Sequence, residues 1–83
     1  MEPFQKRLID EIVELDERLG KLDDFIDHNP KFSQLDHEEQ ALQIFQRKAM
    51  EEYMSALMGR MQHQGLGDEL KKAYEFHAIK EDF

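Results

Sequence analysis

A chain of 83 residues has room for one small domain, and its 36% charged and 40% hydrophobic content, with no Trp and only two Pro, suits helices rather than a β-sandwich or disorder. A formal net charge of −8 excludes general binding to duplex nucleic acid, which needs a basic footprint. Cysteine is absent, which rules out a disulfide framework, a thiolate metal site and a cysteine nucleophile.

The first predicted element is a helix over about residues 3–28. Leu8, Ile12, Leu15, Leu19, Leu22 and Ile26 follow one another at spacings of 4, 3, 4, 3 and 4, an unbroken heptad-like stripe. Phe4, Ile9, Val13 and Phe25 widen it beyond a coiled-coil seam, as a helix packed against more than one neighbour requires. Pro3 fits the first turn. Gly20 marks either a close backbone approach or an unpressured surface position. Asn29-Pro30 ends the helix, because the residue before a proline is driven out of helical dihedrals.

The connection 29–35 is short, which favours an antiparallel hairpin, and Phe32 and Leu35 are its apolar anchors. Through Lys31 it is the one net-positive segment of the chain. Asp36 then caps a second helix running to about residue 62, with Glu39 at the reciprocal position of a capping box. Its expected inward stripe is Leu42, Phe45, Ala49, Tyr53 (or Glu52), Ala56 and Leu57, with Met50, Met54, Met58 and Met61 as an adaptable margin. Gly65-Leu66-Gly67 stops this helix. Asp68 is positioned to cap a shorter C-terminal helix over about 68–80, with Leu70, Ala73, Tyr74 and His77 on one face and Phe76, Ile79 and Phe83 available for an intersubunit contact. The expected fold is all-α: an antiparallel two-helix hairpin plus a short C-terminal helix, 1–83 as a single domain. Such a chain buries limited apolar surface alone, which favours a homo-oligomeric helical bundle.

No catalytic motif is visible. The four histidines form no i, i+4 pair, no Glu-x-x-His occurs, and neighbouring acids such as Asp23-Asp24 point to different parts of a helix surface. An enzyme, a metal site and a cofactor are therefore not expected. No secretory signal and no membrane span are read, so a cytoplasmic protein is expected.

The pattern Asn29-Pro30-x-Phe32-x-x-Leu35-x-x-Glu38-Glu39-Gln40-x-Leu42, continuing through Gln46, Ala49-Met50, Tyr53, Leu57 and Arg60, resembles small phage and prophage proteins related to a crAss-like phage gene product. Arg7-Leu8 and Lys21-Leu22-x-x-Phe25-Ile26 extend the resemblance to residues 4–61. Gln43 stands where these proteins have a leucine, and residues 62–83 fall outside their pattern. In architecture, rather than in shared motifs, the chain is also similar to the phage sponge proteins that silence CBASS or Thoeris defence. The resemblance implies a phage-encoded, non-enzymatic homo-oligomer that sequesters a cyclic nucleotide or cyclic ADP-ribose type signal in the cytoplasm of the infected host. Phe25, Phe32 and Tyr53 would stack on the bases, and Asn29, Lys31, Arg47 and Arg60 would supply donors to the phosphates. Five of the seven have a structural alternative: hairpin-end core for Phe25 and Phe32, a core aromatic for Tyr53, a helix terminus for Asn29 and a solvated or ion-paired arginine for Arg60. The competing function is an acidic interaction module that binds and inhibits a host protein through the methionine margin.

Overall fold

The computed structural model describes residues 1–81, with side chains as far as Phe76. Among the described residues there are three α-helices and no strand: α1 (Pro3–His28), α2 (His37–His63) and α3 (Gly67–Glu81), with a 3-10 turn at Phe32–Gln34 between the first two. The molecule is long and thin, 46 × 31 × 16 Å. α2 folds back along α1, and α3 packs on α1.

Each helix end has a local cause. Pro3 stands in the first turn of α1, where Gln5 Oε1 accepts from the Glu2 N–H at 3.0 Å. Asn29 leaves α1 in extended backbone, and its Oδ1 accepts from the Lys31 N–H at 2.9 Å, a local turn held by the side chain. Asp36 caps α2 by accepting from the Glu39 N–H at 2.7 Å. The reciprocal half of that expected capping box is missing, because the Glu39 carboxylate instead accepts from the Gln43 amide at 3.1 Å. Gly65, at φ 70°, ends α2: its N–H donates to Gln62 O at 3.1 Å while the Leu66 N–H donates to Met61 O at 3.0 Å. That bond pair is a Schellman stop, a left-handed position that favours glycine, sealed by contact between buried Leu66 and Met61. α3 begins one residue earlier than its expected cap, so Asp68 and Glu69 lie in its first turn, where they favour the positive end of the helix dipole. A Cβ at Gly20 would meet nothing within 4 Å, which makes it a surface position.

The core sits where all three helices meet. Leu8, Ile9, Ile12, Val13 and Leu15 of α1 close against Leu57 and Met61 of α2 and against Leu66 and Leu70 at the start of α3. The expected stripe on α1 is inward along its length, fully buried to Leu15 and half-buried from Leu19 to Ile26, with Phe4 exposed. The stripe expected on α2 is largely outward. Leu42 is 55% exposed, Phe45 72% and Tyr53 46%, and Ala49 and Ala56 are exposed too. The face presented to α1 is instead the methionine side: Met61 is buried, and Met50, Met54 and Met58 pack against the core. Flexible thioethers fill an irregular gap between two helices of unlike side chains, so they form the contact rather than its margin.

Gln43 faces inward on that side, and its Oε1 is buried with no hydrogen-bond partner among the described residues. An unpaired buried acceptor costs about 1–3 kcal/mol, against a half-exposed amide bond to Glu39 worth about 1 kcal/mol. Gln43→Leu should therefore stabilise the fold by about 1 kcal/mol and raise the melting midpoint by roughly 4–8 °C, measured by thermal denaturation followed by circular dichroism.

α3 is fastened to α1 by the Tyr74 hydroxyl, which donates to Asp16 Oδ2 at 3.1 Å. Burial, then this bond, then the charge of Asp16 push the phenol up from 10.0 to about 12. A raised pKa means that the folded chain favours the neutral phenol. The contribution is complete below about pH 10 and is lost as pH climbs through about 12, because the unfolded chain ionises first. Wild type should lose stability over that window relative to Tyr74→Phe, and the variant should lack the late absorbance change at 295 nm that Tyr74 contributes. Side chains of His77, Ile79 and Phe83 lie outside the described residues, while Phe76 is exposed.

Candidate functional site

The hairpin end is built by α1, the loop and the start of α2. Phe25 and Phe32 meet edge to face, ring centroids 6.1 Å apart, and both are half-buried. The Gln40 amide donates to Phe32 O at 3.1 Å and to Leu35 O at 2.9 Å, which fixes the loop on α2. Ser33 adds a bond to Pro30 O at 2.9 Å. These two aromatics hold the hairpin end together, with Asn29 and Lys31 exposed beside them.

Arg47 spans the two long helices. Its guanidinium donates to Asp27 Oδ1 at 2.9 Å and lies 3.6 Å from Asp23 Oδ1. The hydrogen bond to Asp27 holds its pKa above the ordinary guanidinium value; burial opposes this, and the charges of Asp27, Asp23 and Glu51 add to it. Arg47 is thus committed to a helix-to-helix clamp. Arg60 lies two helical turns beyond Tyr53, exposed, with no ion-pair partner among the described residues. The seven expected site residues accordingly divide among the hairpin end (Phe25, Asn29, Lys31, Phe32), the clamp (Arg47), the flank of α2 (Tyr53) and its far end (Arg60).

Tyr53 is the one of the seven that lines a cleft of about 520 Å³ between α1 and α2. Leu15, Leu22 and Met50 give the cleft an apolar lining, and Arg18, Lys21, Gln46 and Tyr53 supply its polar groups. The Tyr53 hydroxyl donates to Glu11, which anchors the phenol to α1. Arg18 and Lys21 make only exposed i, i+4 pairs, with Glu14 at 3.4 Å and Glu17 at 3.3 Å. Pairs of this kind contribute little and exchange readily for a better-placed anion. An apolar lining, one aromatic ring, one amide and two cations suit a small anionic molecule that carries flat rings. Among the described residues no group of His, Asp and Glu is arranged to hold a metal ion.

Arg18 and Lys21 were not among the expected donors. Their sequence signal is faint: a basic pair three residues apart on the flank of the Leu15–Leu22 stripe, each with an acid four residues before it.

No helix among the described residues is long and apolar enough to cross a membrane. No curated protein and no solved structure matches the chain. A family model described as Sequestin matches residues 2–63, which takes in α1, the hairpin loop and α2 with the whole cleft, and leaves α3 outside. With most of its length inside that match, the chain belongs to the Sequestin family, a family named for sequestration.

Proposed function

We propose that this protein is a phage-encoded, cytoplasmic sponge: a homo-oligomer that binds a cyclic nucleotide or cyclic ADP-ribose type immune signal in the α1–α2 cleft and withholds it without turning it over. The observation that carries this reading is the coincidence, in a Sequestin chain, of Arg18, Lys21 and the Tyr53 ring around one apolar-lined cleft. Phosphates would lie on the two cations and the Gln46 amide, and a base on Tyr53 and Met50.

A thermal-shift panel of cyclic dinucleotides, cyclic trinucleotides and cyclic ADP-ribose isomers tests it. A bound ligand at about 100 times its dissociation constant adds roughly 2.7 kcal/mol, on the order of 10 °C or more for a domain this small. A shift with one member of the panel supports the reading; a flat panel refutes it.

A further inference from the structure

We infer that a second copy of this chain seats on the outward face of α2, the two α2 helices running antiparallel about a two-fold axis near Met50–Glu51. This deepens the oligomeric part of the sponge reading, naming its face, copy number and register, while its own support lies in the fold.

The outward face carries Leu42, Phe45, Ala49, Tyr53 and Ala56 at spacings of 3, 4, 4 and 3, a seam about two heptads long that nothing among the described residues covers. The area fits. The chain exposes 6355 Å², whereas a compact monomer of its mass exposes about 5,200 Å². The excess of about 1,100 Å² is more than the ~800 Å² each partner gives up in a standard interface. The thinness of the molecule points the same way, since a domain normally packs two layers of elements and the hairpin end here has only one.

Side-chain size selects the partner. The stripe is bulky at one end, with Leu42 and Phe45, and small toward the other, with Ala56 and Gly59 ahead of the exposed Arg60. Antiparallel pairing with an identical stripe sets Phe45 against Ala56 and Tyr53 against Ala49 in both directions at once. A two-fold contact requires that kind of self-complementarity. Parallel pairing would stack Phe45 on Phe45 and leave a gap at the alanines. Glu52 borders the seam and Arg60 stands one turn beyond Ala56 on the same face, opposite in sign, so the chain's −8 opposes association mainly at long range, where salt screens it. Tyr53 belongs to both the seam and the cleft, so the second copy also borders the open side of the cleft.

Sedimentation equilibrium of the ligand-free full chain tests the inference. The expected mass is twice the 9.9 kDa of one chain, with tighter association at higher salt. Phe45→Glu should halve that mass while circular dichroism keeps its helical content. Phe45→Ala and Ala56→Phe should each weaken the dimer, and the double variant should restore it, which only the antiparallel register allows. A monomeric wild type, a Phe45→Glu dimer, or a double variant weaker than either single one would overturn the inference. Because no ligand is present, these outcomes stand apart from success or failure of ligand binding.

Discussion

Leu57→Ala should remove about 3 kcal/mol from the stability of this chain, within the range of about 2–5 kcal/mol for emptying a well-packed leucine site. Leu57 is 1% exposed and lies among Leu8, Ile12 and Met61, where three helices converge. A domain of this size holds about 4–12 kcal/mol in all, so one side chain carries a large share. The melting midpoint should fall by roughly 10–25 °C. Ile44→Ala on the same helix deletes a comparable group from a site that is 47% exposed. Its cost should stay within about 0.5 kcal/mol of what helix propensity alone gives. Urea denaturation of the two variants reads the difference directly, and equal losses would mean that α2 presents a different face to α1.

Arg18→Ala combined with Lys21→Ala should weaken ligand binding by on the order of a hundredfold or more, since each charge-assisted contact to a phosphate contributes about 1.5–3 kcal/mol. Stability should hardly change, because the pairs these residues make with Glu14 and Glu17 are exposed and worth about 0–1 kcal/mol each. The combination of lost affinity and unchanged melting separates a binding role from a structural one. Arg60→Ala, at the far end of α2, provides the contrast: if the cleft holds the phosphates, affinity should stay within about twofold. Isothermal titration with the panel member that shifts wild type measures both variants.

Much of the fold was legible because its signals are local. The stripe from Leu8 to Ile26, the break at Asn29-Pro30, the cap at Asp36 and the stop at Gly65 each depend on a few neighbouring residues. The orientation of α2 was not legible, because that helix has two apolar faces. Leu42, Phe45, Ala49 and Tyr53 look more core-like by residue type than a face interrupted by Gln43 and Arg47. Yet Gln43 turns inward with only its amide N–H bonded, to Glu39, and its Oε1 unpaired, while Arg47 is neutralised by Asp23 and Asp27 from the other helix, a compensation that no single-helix pattern contains. The cleft escaped the sequence for the same reason. Arg18 and Lys21 on α1 meet Gln46 and Tyr53 on α2 only through the register of the two helices, which periodicity leaves open. Tyr53, named for its ring and its place beside the stripe, is where the two readings coincide. The resemblance read from residues 4–61 and the Sequestin match over 2–63 cover almost the same stretch, because both rest on the hairpin.

The most direct measurement is calorimetric titration of the wild-type chain with the cyclic nucleotide panel, followed by denaturation and chromatographic recovery of the ligand. Sequestration predicts saturable binding at a fixed ratio of ligand to chain, with all of the ligand returned chemically intact. Absence of heat with every member of the panel, or recovery of a cleaved product, would contradict it.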